Sequence, residues 1–310
     1  MPVEEPRVFD ARTRRSFLQL AAVASGCAFA VEAAAAQPKE LVRESIYNYI
    51  IVSRSGSVVS FRRMENGASI SAIDMSRPSY QVIDYAKFLF AGALVDPNPS
   101  NVLSIGLGAG SFNRLFNLLY PDAVLTTVEI DPMIRDLAVE FTDFQESPKN
   151  KVVIEDGRRF LRRSAEYWNW IVVDAFVKNS QYPPHMATRE FFSLIASHLS
   201  PGGILLINVL QGSKLFDCMI ATISSVFPRL ASLEVPGRGN AIVIGSGNDG
   251  PSIDQKINAA SISALPLLGQ NGVDVVQIKT AAATPTSVSC PGLLTDDFSP
   301  TEFLGNQWRK

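Results

Sequence analysis

From Val102 onward the chain alternates short apolar runs with amphipathic stretches. "VLSIG", "VLTTVEI", "KVVIEDG", "WIVVDAF" and "GGILLINVL" each precede a segment with apolar residues at helical spacing. Those segments are Ser111 to Tyr120, "DPMIRDLAVEFT", "RRFLRRSAE", "TREFFSLIASHL" and "KLFDCMIATISSVF". Strands this continuously apolar need cover on both faces, and strands separated by helices run parallel. The pattern predicts an α/β fold on a mostly parallel sheet with helices on both faces. "ASLEVP" and "NAIVIGSG" predict two further strands. Ligands of such sheets bind at the carboxyl ends of the strands, near the point where strand order reverses.

The residues ahead of this unit read differently. "YNYIIVSRSG" and "SVVSFRR" flank a Ser-Gly turn, and "ASISAID" follows "ENG", which predicts a small β-rich subdomain over residues 41–76. "SYQVIDYAKFLFAGAL" has helical spacing from Ser79 to Leu94, and "DPNPSN" breaks the chain after it. Residues 77–310 form the second domain. With 46% hydrophobic and 19% charged residues, the chain has the profile of a globular protein with a sizeable core. A net charge of -2 gives no basic field for nucleic acid, and none for an anionic membrane.

Residues 1–36 have the layout of an export signal. Arg12, Arg14 and Arg15 precede an apolar stretch from Phe17 to Val31, which ends in the small residues Ala33 to Ala36. "TRRSFLQ" resembles the twin-arginine motif. It implies the twin-arginine export machinery as partner, a periplasmic destination and a mature start at Gln37. An Ala-rich amphipathic helix docked on the domain is the alternative, and lipid attachment at Cys27 a lesser one. Cys218 and Cys290 would remain after cleavage. They read as two buried thiols, with pairing open to them in an oxidising compartment. Only two His are present, and no metal-ligand spacing appears.

The chemistry gathers at the strand ends. Gly106, Gly108 and Gly110 follow the first strand and open a helix. Gly106 permits a tight turn, and the other two allow close approach to a ligand. The nicotinamide fingerprint spaces its second and third glycines by three; here they are two apart, as in S-adenosylmethionine-dependent enzymes. Glu129 ends the second strand, 23 residues after Gly106, where an acid can accept from both ribose hydroxyls. Asp131 reads as a helix cap before Pro132. Asp156, with Gly157, ends the third strand and is placed to accept from an adenine amino group. Asp174 ends the fourth. Three acids at the ends of three consecutive strands point to a nucleoside site.

"VLSIGLGAGS", "TVEIDP", "EDGRRFL", "IVVDAF", "PPHMATREFF" and "LLTDDFSP" occur in order and at matching spacing. The set resembles the spermidine synthase-like proteins, the polyamine aminopropyltransferase family, from about Glu44 to Leu304. "SIYNYIIV" and "PSYQVIDY" are similar to that family's N-terminal β-domain and gate segment. The resemblance implies a Rossmann-like methyltransferase fold, decarboxylated S-adenosylmethionine as donor, a small diamine such as putrescine as acceptor, and a homodimer.

Carried over by position, Glu129 matches the family's ribose-binding acid and Asp156 its adenine-binding acid. Asp174 matches the first Asp of the Asp-x-x-Asp motif. Tyr80 and Gln81 match the Tyr-Gln pair, Tyr80 as a helper of Asp174 and Gln81 as a substrate contact. Asn48 stands where a substrate-binding Gln is usual. Three positions depart. Ala109 replaces the loop Asp that holds the donor's ammonium, Val177 replaces the second Asp of Asp-x-x-Asp, and no Tyr occurs near "VPGRGNAIV". Asp296 and Asp297 read as a turn or helix cap, with extra acidic site residues as the alternative. The resulting expectation is a transferase with part of its acceptor site lost. Methyl transfer from intact S-adenosylmethionine and a non-catalytic nucleoside-binding homologue are the alternatives.

Overall fold

A computed structural model describes residues 40–65, 67–176, 182–237, 239–248, 250–261, 265–285 and 290–306. The export-signal segment, with Arg14, Arg15 and Cys27, and Val177 lie outside the described residues.

The N-terminal subdomain is a four-stranded antiparallel sheet in the order β1 (Leu41–Glu44), β2 (Tyr49–Ser55), β3 (Val58–Arg62), β4 (Ser69–Asp74). The stretch from Ser79 to Leu94 is not one helix. It forms α1 (Asp84–Leu89) and α2 (Gly92–Val95), and the residues before Asp84 are not helical. Gln81 shows why. Its backbone bridges to Ile73 of β4, and its N–H donates to the Asn271 carbonyl at 2.9 Å. Its side-chain amide donates to the carbonyls of Ser79 and Ser111 at 3.1 and 2.9 Å. A backbone group spent on tertiary bonds cannot also close a helical turn.

The expected alternation follows: β5 (Asn101–Ile105), α3 (Ser111–Leu119), β6 (Val124–Glu129), α4 (Pro132–Thr142), β7 (Asn150–Ile154), α5 (Gly157–Arg163), β8 (Trp168–Val173), α6 (Arg189–Ser197), β9 (Leu199–Leu210), α7 (Lys214–Ser224), β10 (Arg229–Glu234) and β11 (Asn240–Ser246). Beyond it lie α8 (Ile253–Ala259), α9 (Pro266–Gln270), α10 (Val275–Ala281), β12 (Ala282–Ala283) and α11 (Thr301–Gly305).

The main sheet runs β12-β10-β11-β9-β8-β5-β6-β7. It is parallel from β9 to β7 and antiparallel among β9, β11, β10 and β12. The chain winds outward from β5 to β6 and β7, then crosses back to β8, so strand order reverses beside β5. The two-residue period of the strands sends side chains to opposite faces. Val102, Trp170, Val172 and Leu206 pack with α2, α3, α8 and α10. Leu103, Ile105, Ile171, Val173 and Ile207 pack with α5, α6 and α7. A third cluster joins Ile50, Val52, Val59, Phe61 and Ile73 of the small sheet to Leu107, Ala109, Ile134, Leu137 and Phe144. This seam sets the small sheet against the glycine loop and α4.

Cys218 and Cys290 form a disulfide, which corrects the expectation of two separate buried thiols. Cys218 is buried in α7 as expected. The C-terminal segment that carries Cys290 returns to the same helix, however, and the Leu294 N–H donates to the Thr222 hydroxyl at 3.0 Å. That return brings together two residues 72 apart in sequence.

Candidate active site

A cavity of about 340 Å³ opens at the carboxyl ends of β5, β6 and β8, beneath the small sheet. It lies where strand order reverses, as the fold class requires. Gly106 and Gly108 line it; Gly110 does not. Gly106 has φ +104, and a Cβ there would stand 2.3 Å from the Asp174 carbonyl oxygen. The missing side chain therefore lets β5 and β8 release their chains side by side. At Gly110, which caps α3 in the left-handed region, a Cβ would strike the Phe144 ring. Close packing of protein on protein, rather than of protein on ligand, explains Gly110. The same holds for Gly157, where a Cβ would meet Ile105 at 2.5 Å.

Glu129 is 7% exposed and lines the cavity. One carboxylate oxygen accepts from the Leu107 N–H at 3.0 Å and the other from the Asp131 N–H at 2.9 Å. Burial pushes its pKa up, against the pull of these amides. Each oxygen keeps a lone pair beyond its amide. Asp131 is the expected cap of α4, accepting from Met133 at 3.0 Å. Its second oxygen also takes the Ser45 hydroxyl at 2.6 Å and the Asn48 amide at 2.9 Å. Asn48 does line the cavity, but its NH2 is bound to Asp131.

Asp156 caps α5 through the Arg159 N–H at 2.9 Å and meets His185 Nε2 at 2.8 Å. Burial pushes its pKa up, but the His185 bond and the helix amides outweigh that and leave it lowered. Both residues face the cavity.

Asp174 stands on the same wall. Asn208 donates to its Oδ1 at 2.9 Å, and Asn240 donates to Asn208 Oδ1 at 2.9 Å. The second bond fixes the Asn208 amide with its NH2 toward the acid. Burial raises the Asp174 pKa, opposed by Asn208, Tyr85 and the charge of Arg63. The Tyr85 hydroxyl donates to the Ile70 carbonyl at 2.7 Å, and burial, then Asp174, holds it protonated far above the usual range.

Tyr80 does not join this group. Its ring lies under the Arg77 guanidinium, 4.0 Å from ring centre, and against Gly272. The tyrosine beside Asp174 is Tyr85, five residues on and the second residue of α1. Gln81 is fully buried and braces the start of α3, away from the cavity lining. Both displacements follow from the bridge that Gln81 makes to β4.

Ala109 is fully buried in the seam under the small sheet and does not line the cavity. Its N–H donates to Ser71 Oγ at 2.8 Å, and its carbonyl accepts from Thr142 at 3.0 Å. Asp296 sits in the Thr295–Phe298 turn, outside the cavity. Arg158 grips both its oxygens at 2.6 and 2.7 Å, and Thr188 adds a bond at 2.8 Å. The Arg158 bond, first among these, brings its pKa down to about 2.

Arg63, Tyr85, His185, Asn208 and Asn240 are cavity residues that sequence reasoning passed over. Asn208 had a signal, since it is a polar residue inside the apolar run "LLINVL".

The doubly wound sheet, the short glycine loop after β5 and the acids at the ends of β6, β7 and β8 define a Rossmann-like fold of the methyltransferase type. The comparisons agree. A crystal structure of a probable spermidine synthase from Corynebacterium glutamicum ATCC 13032 superposes with a TM-score of 0.61 at 20% identity, covering 82% of this chain and 100% of that one. Human methyltransferase-like protein 13, in complex with SAH, superposes with a TM-score of 0.52 at 22% identity, over 70% and 100%. A Spermine/spermidine synthase domain model matches residues 89–233. The polyamine aminopropyltransferase of Vibrio vulnificus (strain CMCP6) is 32% identical over 228 residues, 71% of this chain and 75% of that protein. The chain belongs to the polyamine aminopropyltransferase family, the spermine and spermidine synthases.

Proposed function

We propose that this cavity binds the adenosyl nucleoside of a sulfonium donor, and that the chain transfers an alkyl group from it to a small amine held at Asp174. Aminopropyl is the group that the names of its relatives imply. The observation that carries the reading is the placement of Asp174. A buried carboxylate of raised pKa, oriented through Asn208 and Asn240, shares one cavity with Glu129 and the glycine loop.

The site fits such a donor. Glu129 has a free lone pair on each oxygen for two ribose hydroxyls, and Asp156 lies one strand further along for the base. The volume falls in the range of ~300–1,000 Å³ usual for small-molecule sites. When bound, the donor supplies an electrophilic carbon beside its sulfonium. The residues supply the rest. An amine attacks only as the free base, so a proton acceptor must lie within hydrogen-bond reach. A raised pKa makes Asp174 a stronger base than a solvated Asp. The Asn208 amide holds Oδ1, which turns the remaining acceptor capacity toward the amine. The protonated Tyr85 borders the same pocket as an uncharged wall.

A second reading is methyl transfer from intact S-adenosylmethionine, to which the methyltransferase-type fold is equally suited. Single-turnover mass spectrometry separates the readings. The first predicts methylthioadenosine from decarboxylated S-adenosylmethionine and putrescine, with at least ~10²-fold less from Asp174→Asn, the scale of a lost general base. A methylated amine formed only from the intact donor favours the second. Binding of methylthioadenosine with neither product leaves a nucleoside-binding homologue and removes Asp174 as base.

We also propose that the chain is exported through its Arg14-Arg15 signal. The Cys218–Cys290 disulfide supports this, since structural disulfides persist in oxidising compartments.

A further inference from the structure

Arg63 is a cation in a cavity whose proposed substrates are cations. It follows β3 and reaches over the segment that leaves β8, where Nη2 donates to the Phe176 carbonyl at 2.7 Å. Asn48 Oδ1 stands 3.5 Å from the same nitrogen, and Nε is buried without a partner. Arg63 makes no ion pair among the described residues. Asp174, Glu129 and Tyr85 line the same cavity, and burial, the largest influence, pulls the Arg63 pKa down against their charge.

A desolvated guanidinium with unused N–H groups has much to gain from a planar anion. Two parallel N–H···O bonds to a carboxylate are its strongest and most selective pairing. An ammonium beside it meets repulsion instead, and this grows as water is excluded. Two substrates that carry only amines would leave Arg63 unmatched. One that carries a carboxylate would satisfy it.

We infer that Arg63 recognises a carboxylate on a ligand of this cavity, so that one of the two substrates is an amino acid. Two sources offer that group: the amino-acid end of an intact S-adenosyl donor, and the α-carboxylate of an acceptor amine. The inference rests on the nucleoside reading above.

Calorimetry on the whole chain tests it with two ligand pairs. S-adenosylhomocysteine against methylthioadenosine differs at the donor's amino-acid end. Ornithine against putrescine, both with methylthioadenosine present, differs by the acceptor's carboxylate. The wild type should prefer the carboxylate-bearing member of one pair by roughly tenfold or more, the worth of a charge-assisted bond. Arg63→Gln should bring that preference below about twofold. Preference in the first pair assigns the carboxylate to the donor, and in the second to the acceptor. No preference by the wild type in either pair overturns the inference, as does a preference that survives in Arg63→Gln. Should Arg63→Gln lose methylthioadenosine binding through misfolding, Arg63→Met decides: it keeps an unbranched chain without the charge, and a preference that survives there overturns the inference. Absence of methylthioadenosine binding by the wild type removes the nucleoside reading and this inference with it.

Discussion

Changing Ala109 to Asp restores the residue usual in the family's loop, and the structure predicts damage rather than a repaired amine site. Ala109 has no exposed surface and packs among Ile134, Leu137, Ala138 and Phe144. Its polar neighbours are Ser71, which accepts from the Ala109 N–H, and Thr142, which donates to its carbonyl. A carboxylate forced into apolar surroundings raises its pKa by up to ~3–5 units, each worth ~1.4 kcal/mol at neutral pH. A bond from the Ser71 hydroxyl would return ~1.5–3 kcal/mol. The net loss is roughly 3 kcal/mol, a large part of the ~5–15 kcal/mol that holds a domain folded. The sign of the pH dependence follows. The folded pKa of this Asp would lie above its unfolded value, so the folded state favours its proton. The penalty is then full above the folded pKa and fades as pH falls from there toward the unfolded value of about 4. Urea unfolding of the oxidised protein, read by the buried Trp168 and Trp170, should show a gap from wild type at pH 7 that narrows at pH 5. A variant as stable as wild type that binds decarboxylated S-adenosylmethionine more tightly would place position 109 at the donor's ammonium and refute the reasoning.

Asn208→Ala removes a bond that lowers the Asp174 pKa, so the acidic limb of the pH–kcat profile should move to higher pH. Stability should fall by ~1–3 kcal/mol, since the buried acid loses its donor; an unmoved limb would separate Asn208 from the proton transfer. Cys218→Ser should lower stability by ~2–4 kcal/mol in urea, because the disulfide closes a long loop. Equal stability of oxidised wild type and variant would argue against the bond. Lys at both Arg14 and Arg15 should leave the chain in the cytoplasm on cell fractionation. Undiminished periplasmic protein would remove the twin-arginine assignment.

The parallel sheet was legible because its strands are apolar runs bounded by helices of clear period, and both the β-subdomain and the strand-end acids followed from the same reading. Residues 253–283 carry no pattern in the sequence that predicts an element. Their three helices are short, at seven, five and seven residues, and a helix of two turns gives little periodicity to detect. Tyr80 was misplaced because helical spacing extends back to Ser79, whereas the long-range bonds of Gln81 decide the backbone there. Arg63 was illegible for a related reason. "FRRM" gives two adjacent cations, and only the docking of the small sheet turns one of them inward. Local pattern reports elements; which polar side chains share a cavity depends on packing between elements far apart in sequence. Cys290 belongs to the same class, since nothing near it in sequence reports its return to α7.

Glu129 is the residue proposed to hold a nucleoside's ribose. Its two oxygens are oriented by the Leu107 and Asp131 amides. The direct measurement is calorimetry of methylthioadenosine with wild type and Glu129→Ala, alongside their urea midpoints. The expected result is binding by the wild type and a loss of ~1.5–3 kcal/mol in the variant, about 10- to 150-fold in affinity, with a folded variant. Equal affinity of the two proteins would contradict it.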